Sequence, residues 1–175
     1  MDVTFRKKIL PFLLTAVILI ADQVSKEYIV KHWPQNVRIY DVFSNGFLEI
    51  WHVRNKAIAF SLGRNIPEML KPALFIIIPF LVLVLLFVYF WKTSDLTRVQ
   101  RWAVAGIIGG GLGNIIDRVF RPDGVVDFVS IKFYGLLGMD RWPTFNIADA
   151  SVVVSCFILI VTMLTAKKTE SEAAR

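Results

Sequence analysis

Two aspartates in apolar surroundings are the side chains of this sequence best suited to chemistry. Asp127 interrupts the apolar run 125–129, and Asp149 stands at the head of a long apolar segment. Two carboxylates held close together in an apolar setting cannot both ionise comfortably, so the pair shares one proton. One can act as general base on a water molecule while the other protonates or polarises a carbonyl. The residue types therefore predict hydrolysis by an aspartate pair.

Other chemistries find little support in the sequence. His32 and His52 have no carboxylate or thiol partners at metal-ligand spacing, and neither lies in a serine or cysteine nucleophile motif. The glycine-rich stretch 109–113 follows no predicted strand, and no Gly-Lys-Ser/Thr comes after it, which argues against a phosphate-binding loop. We therefore expect no metal and no cofactor.

The composition places these aspartates in a membrane protein. The chain has 175 residues, 55% of them hydrophobic, with one cysteine and a net charge of +6. A soluble domain of this length could not bury so much apolar surface. The basic residues bracket apolar runs, as they do beside anionic headgroups, and no basic helix with interleaved aromatics suggests nucleic acid. Cys156 excludes an internal disulfide and is expected to be an inert small hydrophobe.

Four apolar segments reach the ~20 residues that a bilayer core requires. The first is expected to be retained, because its apolar run is too long for a signal peptide and no small-x-small cleavage site follows. Basic residues are denser at both termini and in the short link near 92–101, which predicts cytoplasmic termini and outward-facing loops over 31–69 and 118–146. The predicted spans are 9–30, 70–91, 99–117 and 147–166.

The first outer loop has the alternation of a small sheet. Segments 37–43 and 47–53 are strand-like, and Ser44-Asn45-Gly46 between them is a hairpin signal. With Trp33 and Trp51, this sheet is expected to lie on the outer headgroup layer. The fold class is thus an all-α membrane bundle of four transmembrane helices with a small extracytoplasmic hairpin or sheet, forming one domain over 1–175.

Polar residues at membrane depth are costly, so function is their default interpretation. Asp22 and Lys26 are four residues apart on one helical face and can pair. They form either a structural ion pair near the interface, with Lys26 snorkelling, or part of a polar site inside the bundle. Asn55 is either a turn residue or a group that orients a peptide backbone.

The third span combines glycines with a polar end. Gly106/Gly110 and Gly109/Gly113 are small-xxx-small pairs, which let a neighbouring helix or a substrate helix approach closely. Asn114 and Asp117 share a face, whereas Asp117 and Arg118 are sequence neighbours and are each expected to pair with another element. The second span carries no charge and is expected to be a lipid-facing scaffold.

The start of the fourth span predicts a helix cap. Asn146 is a suitable N-cap, which leaves Asp149 in the first turn, where the helix dipole favours an anion. Because Asp127 and Asp149 lie at the two sides of one loop, we expect their side chains to converge near the outer surface of the bilayer.

These motifs, in this order around four spans, resemble the bacterial lipoprotein signal peptidase (signal peptidase II) family along nearly the whole chain. One departure is Ala57, where the family usually has glycine. The matching motifs are Asp22-Gln23-x-x-Lys26, Asn55 with Ala59-Phe60-Ser61, Gly109-Gly110-x-x-Gly113-Asn114-x-x-Asp117-Arg118, Val126-Asp127-Phe128, and Phe145-Asn146-x-Ala148-Asp149.

The resemblance implies an aspartyl endopeptidase of the bacterial inner membrane. It would remove the signal peptide from diacylglyceryl-modified prolipoproteins, immediately before the lipidated cysteine, with phospholipid around it and no nucleic acid partner. Nothing in the sequence demands more than a monomer. The resemblance places Asp127 and Asp149 on the catalytic pair. Positions supporting the site or binding substrate are Asp22, Lys26, Asn55, Asn114, Arg118 and Asn146.

Two other functions would also use polar residues within a membrane. A proton-coupled transporter would normally need more spans, internal repeats and a polar path across the whole bilayer. A non-catalytic membrane assembly protein would use the polar cluster only for helix association.

Overall fold

The structure, a computed structural model, describes residues 3–56 and 66–173. A π-helical turn, Ala73–Ile77, leads directly into the third helix, and short 3-10 turns occur at Glu68–Leu70 and Leu136–Gly138. The helices are α1 Val3–Ile9, α2 Phe12–His32, α3 Ile78–Lys92, α4 Arg98–Phe120 and α5 Ile147–Ala173, and the strands are β1 Val37–Asp41, β2 Leu48–Asn55 and β3 Val125–Ile131.

Four helical segments are long and apolar enough to cross a bilayer, which confirms the predicted spans with ends that differ by a few residues. The third is the central one, because 56% of its most apolar window is buried, against 17% or less in the others. The chain is therefore a multi-pass membrane protein whose other helices are arranged around α4. The segments are Arg6–His32, Ala73–Lys92, Arg98–Phe120 and Ile147–Thr165.

The glycines of α4 explain how three helices approach it so closely. A Cβ atom at Gly110 would collide with the Ala148 carbonyl oxygen and the Ser151 hydroxyl of α5. A Cβ at Gly109 would lie 3.1 Å from the backbone of Thr15 in α2. The predicted close approach of neighbouring helices is therefore confirmed. Entry of a substrate helix along the same glycines is wrong, because α2 and α5 already occupy this face.

The sheet has three antiparallel strands in the order β1-β2-β3. Both predicted strands of the hairpin are present, although β1 ends earlier and β2 continues to Asn55. The third strand, β3, was expected only as a short apolar run. It pairs along β2 with Val53 opposite Asp127 and Asn55 opposite Val125. This long-range pairing brings a residue of the connection between α4 and α5 beside one of the connection that follows α2.

An apolar cluster fixes the sheet to the end of α2. Ile29 of α2 packs with Val126 and Phe128 of β3, and Ile50 of β2 lies against the same cluster. The same part of β3 is joined to α4 by a hydrogen bond from the Val126 amide to an Asp117 carboxylate oxygen, 3.1 Å. The sheet therefore connects the ends of α2 and α4, and β3 carries Asp127 to the place where α5 begins.

The contact of α4 with α5 gives the first testable prediction. Gly110→Ala should destabilise the bundle by about 1–3 kcal/mol, because the added methyl group meets backbone and a packed side chain that cannot easily move. Thermal unfolding of the purified protein in detergent measures the effect.

Gly111→Ala is the matched control. The nearest atoms to its methyl group would all belong to the Leu83 side chain on α3, and a side chain moves at a lower cost than the α5 backbone. We expect a much smaller loss of stability than at Gly110. Equal losses at the two positions would contradict the close α4–α5 packing.

Candidate active site

Asp127 is almost completely enclosed. Its side chain lies in β3 and is 1% exposed. Asn146 donates to one of its carboxylate oxygens at 2.7 Å, and Asn55 donates to the other at 3.0 Å. Burial, and after it the negative charge of Asp149, raise the pKa of Asp127 from 3.8 to about 7. Asp127 can therefore hold a proton near neutral pH.

Asp149 is part of a reciprocal helix cap. Asn146 precedes the first residue of α5, and its side-chain oxygen accepts the Asp149 backbone N–H at 2.9 Å. The Asp149 carboxylate accepts the Asn146 backbone N–H in return, at 3.2 Å. The N-cap predicted at Asn146 is thus confirmed. The other Asp149 oxygen accepts a hydrogen bond of 2.7 Å from the Asn114 side chain.

Asn146 joins the two carboxylates. Its backbone N–H and its side-chain NH₂ bond Asp149 and Asp127 respectively, so the two acids lie on either side of one residue. The same NH₂ group lies 3.1 Å from the Asn114 side-chain oxygen and 3.3 Å from the Val126 carbonyl oxygen. The structure therefore brings together Asp127, Asp149, Asn55, Asn114 and Asn146 from β3, α5, β2 and α4.

A buried lysine lies directly behind this group. The Lys26 side chain is 0% exposed. Its Nζ lies 2.8 Å from Asp22 Oδ2 and 3.1 Å from Asp117 Oδ2, and it donates to Asn114 Oδ1 at 3.1 Å. The predicted Asp22–Lys26 pair is confirmed, but snorkelling of Lys26 is wrong. Two carboxylates and a carboxamide oxygen inside the bundle supply the partners that water would supply at the interface.

Asp22 connects this buried ion pair to the candidate acid. Its other oxygen accepts the Ala148 backbone N–H at 2.9 Å, which satisfies one of the free amides in the first turn of α5. Ala148 immediately precedes Asp149. Asp22 therefore fixes the turn from which Asp149 projects, and its role in the structure is to position that turn.

Asp117 belongs to the same network, although sequence reasoning did not include it among the candidate site residues. It is 0% exposed, pairs with Lys26 and accepts the Val126 N–H, so it holds the residue before Asp127. Its expected pairing with another element is confirmed. The signal that could have identified it is the three-residue spacing from Asn114, which puts both on the face that meets Lys26.

Arg118 was also expected to pair with another element, but its hydrogen bond is within its own helix. Its guanidinium donates to the Asn114 carbonyl oxygen of its own helix at 3.2 Å. Its charge nevertheless acts on Asp149 and Asp127, with which it interacts electrostatically. Arg118 thus supplies positive charge to the edge of the site. Ala57 and the motif residues Ala59, Phe60 and Ser61 lie outside the described residues.

Four membrane-length helices with a polar cluster buried at one end of the bundle define an integral membrane protein with a candidate site for acid–base chemistry. The sequence model of the family described as signal peptidase (SPase) II matches residues 14–165. The chain therefore belongs to the signal peptidase II family and is a peptidase.

Individual relatives agree with this family. The lipoprotein signal peptidase of Treponema denticola is 47% identical over 149 residues, which are 85% of this chain and 84% of the relative. The lipoprotein signal peptidase of Borrelia turicatae is 42% identical over 170 residues, 95% and 96% of the two chains. A solved structure described as a bacterial membrane enzyme superposes with a TM-score of 0.77 at 28% identity, covering 91% of this chain and 90% of that one.

The buried ion pairs give the second prediction. Lys26→Met should destabilise the protein by roughly 3–5 kcal/mol, because it leaves Asp22 and Asp117 without their shared cation in a low-dielectric interior. Thermal unfolding in lipid nanodiscs measures the loss.

The control is a charge change at the protein surface. Lys31→Met removes an exposed lysine of the same helix, which pairs with Glu27 at 3.4 Å, and should change stability by less than about 1 kcal/mol. Asp117 keeps an ion pair with Arg121 at 3.3 Å, so Asp22 is the carboxylate that loses its cation. Adding Asp22→Asn to Lys26→Met should therefore recover part of the loss. No recovery in the double variant would contradict charge compensation as the cause.

Proposed function

We propose that this peptidase is a membrane aspartyl endopeptidase that removes signal peptides from diacylglyceryl-modified prolipoproteins, cleaving immediately before the lipidated cysteine. The observation that supports this proposal most directly is the pair of carboxylates, Asp127 and Asp149, which are bonded by the two sides of Asn146. The names of its relatives, which are lipoprotein signal peptidases, support the substrate class.

The surroundings of the two acids assign them different roles. Asp127 is enclosed and has a pKa of about 7, so it carries the shared proton at neutral pH and below. Asp149 is only partly buried, which leaves it open to water. It receives hydrogen bonds from Asn114 and from the Asn146 backbone in the first turn of α5, where the helix dipole favours an anion. Asp149 is therefore the general base and Asp127 the general acid.

Hydrolysis then needs no covalent intermediate. Asp149 takes a proton from a water molecule as the water oxygen attacks the carbonyl carbon of the scissile bond, and Asp127 gives its proton to the carbonyl oxygen. The resulting gem-diol collapses when Asp149 protonates the departing nitrogen and Asp127 recovers a proton from a diol hydroxyl. The products are the carboxyl end of the signal peptide and the free amine of the lipidated cysteine. Both aspartates return to their starting states.

The position of the site suits a substrate that is anchored in lipid. The candidate acids lie where α2 and α4 end and α5 begins, beside the sheet and not at the middle of the bundle. A diacylglyceryl group holds the adjacent peptide bond near the membrane surface, where such a site can reach it. With both termini in the cytoplasm of the bacterium, as the basic residues predict, this surface is the outer face of the cytoplasmic membrane.

Replacing either acid should abolish cleavage. Asp127→Asn removes the proton donor and Asp149→Asn removes the base, so each variant should lose roughly 10²–10⁴-fold or more in turnover. The assay is cleavage of a diacylglyceryl-modified precursor peptide by purified protein in detergent, with folding checked by thermal unfolding.

Asp123→Asn is the matched control for these two variants. Asp123 is an exposed carboxylate of the same loop, with a 3.3 Å hydrogen bond from Gln35, and its variant should cleave at the normal rate. Normal cleavage by both Asp127→Asn and Asp149→Asn would reject the aspartate mechanism and favour an assembly role for the polar cluster.

The pH dependence tests which acid carries the proton. As pH rises through about 7, Asp127 loses its proton, so the rate should fall on this alkaline side. The hydrogen bond from Asn55 lowers the Asp127 pKa by favouring the ionised form. Asn55→Ala should therefore move the alkaline limb of the rate profile to higher pH, whatever it does to the maximal rate.

Asn45→Ala serves as the reference for this profile. Asn45 is an exposed asparagine of the same loop. Among the contacts described, its side chain accepts a hydrogen bond from the Phe47 amide within its own turn. Its alkaline limb should coincide with that of the unsubstituted protein. An unshifted limb in Asn55→Ala would contradict Asp127 as the proton donor.

A further inference from the structure

The sheet ends in an apolar surface that the proposed reaction does not use. The connection from β1 to β2 and the loop after β3 meet there, since the Lys132 amide donates to the Phe47 carbonyl oxygen at 2.8 Å and Arg141 to that of Gly46 at 2.9 Å. These two loops expose large hydrophobic side chains beside one another. We name this surface the apolar tip, and it consists of Phe43, Phe47, Tyr134, Leu136 and Leu137.

The exposure of the apolar tip is greatest at its end. Leu137 is 77% exposed and Leu136 is 60% exposed, and both belong to a loop outside the spanning helices. Exposing two adjacent leucines and three aromatic rings to water is energetically unfavourable. Large exposed apolar patches usually mark an interaction site. The same side chains would be stabilised by contact with hydrocarbon.

The backbone of this loop is in an unfavourable conformation at two of its exposed apolar residues. Tyr134 and Leu137 have φ of 53° and 55°, in the left-handed region that costs a residue with a side chain roughly 1 kcal/mol or more. Gly135 and Gly138 adopt positive φ between and after them, at no such cost. The chain therefore keeps an unfavourable conformation at the two residues that are also apolar and exposed.

The loop also satisfies its own backbone groups. Six amides between residues 133 and 139 donate to carbonyl oxygens within the loop, among them Phe133 to Asp140 at 2.7 Å and Gly135 to Met139 at 3.0 Å. In a lipid environment no water is present to accept these hydrogen bonds, so a non-helical segment enters lipid only if its polar groups are satisfied internally. This loop largely meets that condition.

The apolar tip lies at the end of the sheet that is away from the candidate acids. Strand β3 begins and β2 ends near Asp127, and the middle residues Ile50 and Val129 pack against the apolar cluster that includes Ile29 of α2. The loops begin about three residues beyond this contact, or roughly 10 Å further along the strands. The tip is therefore the free end of the sheet, beyond the contact of the sheet with α2.

A basic side chain lies against one aromatic ring of the apolar tip, and the acidic residue Asp140 closes the same loop. Lys132 Nζ lies 5.4 Å from the centre of the Tyr134 ring, and it is the residue that joins the two loops. A lysine and a tyrosine at the edge of an apolar patch are typical of segments that lie among headgroups with their apolar side in the acyl region.

We infer that the apolar tip inserts into the leaflet on the site's side of the membrane and anchors the free end of the sheet there. The occupant of this surface is the lipid bilayer. The sheet is then held at two points, by the end of α2 and by its own tip. This inference uses the membrane spans and the sheet, and it does not depend on the assignment of the two aspartates.

Spin labelling in nanodiscs tests the insertion. On a Cys156→Ser background, a nitroxide is attached at Leu137→Cys and, as a second position, at Leu136→Cys. Ile20→Cys on the exposed face of α2 calibrates the lipid, and Ser94→Cys in the α3–α4 link calibrates the water. Collision with oxygen and with a water-soluble nickel complex is measured at each label, and thermal unfolding verifies the fold.

We expect both labels of the apolar tip to collide more with oxygen than with nickel, as at Ile20→Cys, corresponding to a depth of about 5–10 Å. Collision values like those of Ser94→Cys would overturn the inference. Spin–spin broadening that disappears on dilution with unlabelled protein would overturn it in favour of a second copy. Shielding that appears only when a precursor peptide is added would overturn it in favour of a substrate contact.

Discussion

The buried ammonium of Lys26 is the interaction on which the rest of the structure depends. It lies within hydrogen-bonding distance of Asp22 on its own helix and of Asp117 and Asn114 on α4. Each of these partners has a second contact that reaches the site. Asp22 bonds the first turn of α5, Asp117 bonds β3, and Asn114 donates to Asp149. Because a buried charge requires partners, one lysine fixes α2, α4, α5 and the sheet relative to one another.

The two candidate acids differ because they come from different kinds of structure. Asp149 projects from a helix start, where amide groups and the dipole favour its anion. Asp127 projects from a strand with apolar neighbours on both sides, Val126 and Phe128. Two chemically equal carboxyl groups are thereby placed in different surroundings. Asn146 contacts both residues, since it caps the helix that carries Asp149 and donates a hydrogen bond to Asp127.

Local signals in the sequence were sufficient for much of this arrangement. Spans follow from length and hydropathy, the cap at Asn146 from residue type, and the Asp22–Lys26 pair from helical spacing. Long-range contacts were not accessible in the same way. Strand β3 is completed by β2, about seventy residues earlier in the chain, and a single short apolar run does not reveal its partner. The depth of Lys26 likewise depends on Asp117, which lies on another helix.

The glycines of α4 illustrate the same limit. Their spacing predicts that something approaches closely, but it does not say whether the neighbour is a helix of the same chain or a ligand. The identity of the neighbour is decided by the complementary surface, here Ala148 and Ser151 of α5.

The reciprocal cap between Asn146 and Asp149 couples proton movement to the mechanics of α5. A neutral carboxyl group accepts the Asn146 amide less strongly than a carboxylate does. In the mechanism proposed above, Asp149 holds the proton taken from water during part of each turnover, and the first turn of α5 would then be less firmly closed than before. The first turn of α5 would then loosen once per cycle, when the signal peptide and the lipidated product have to separate.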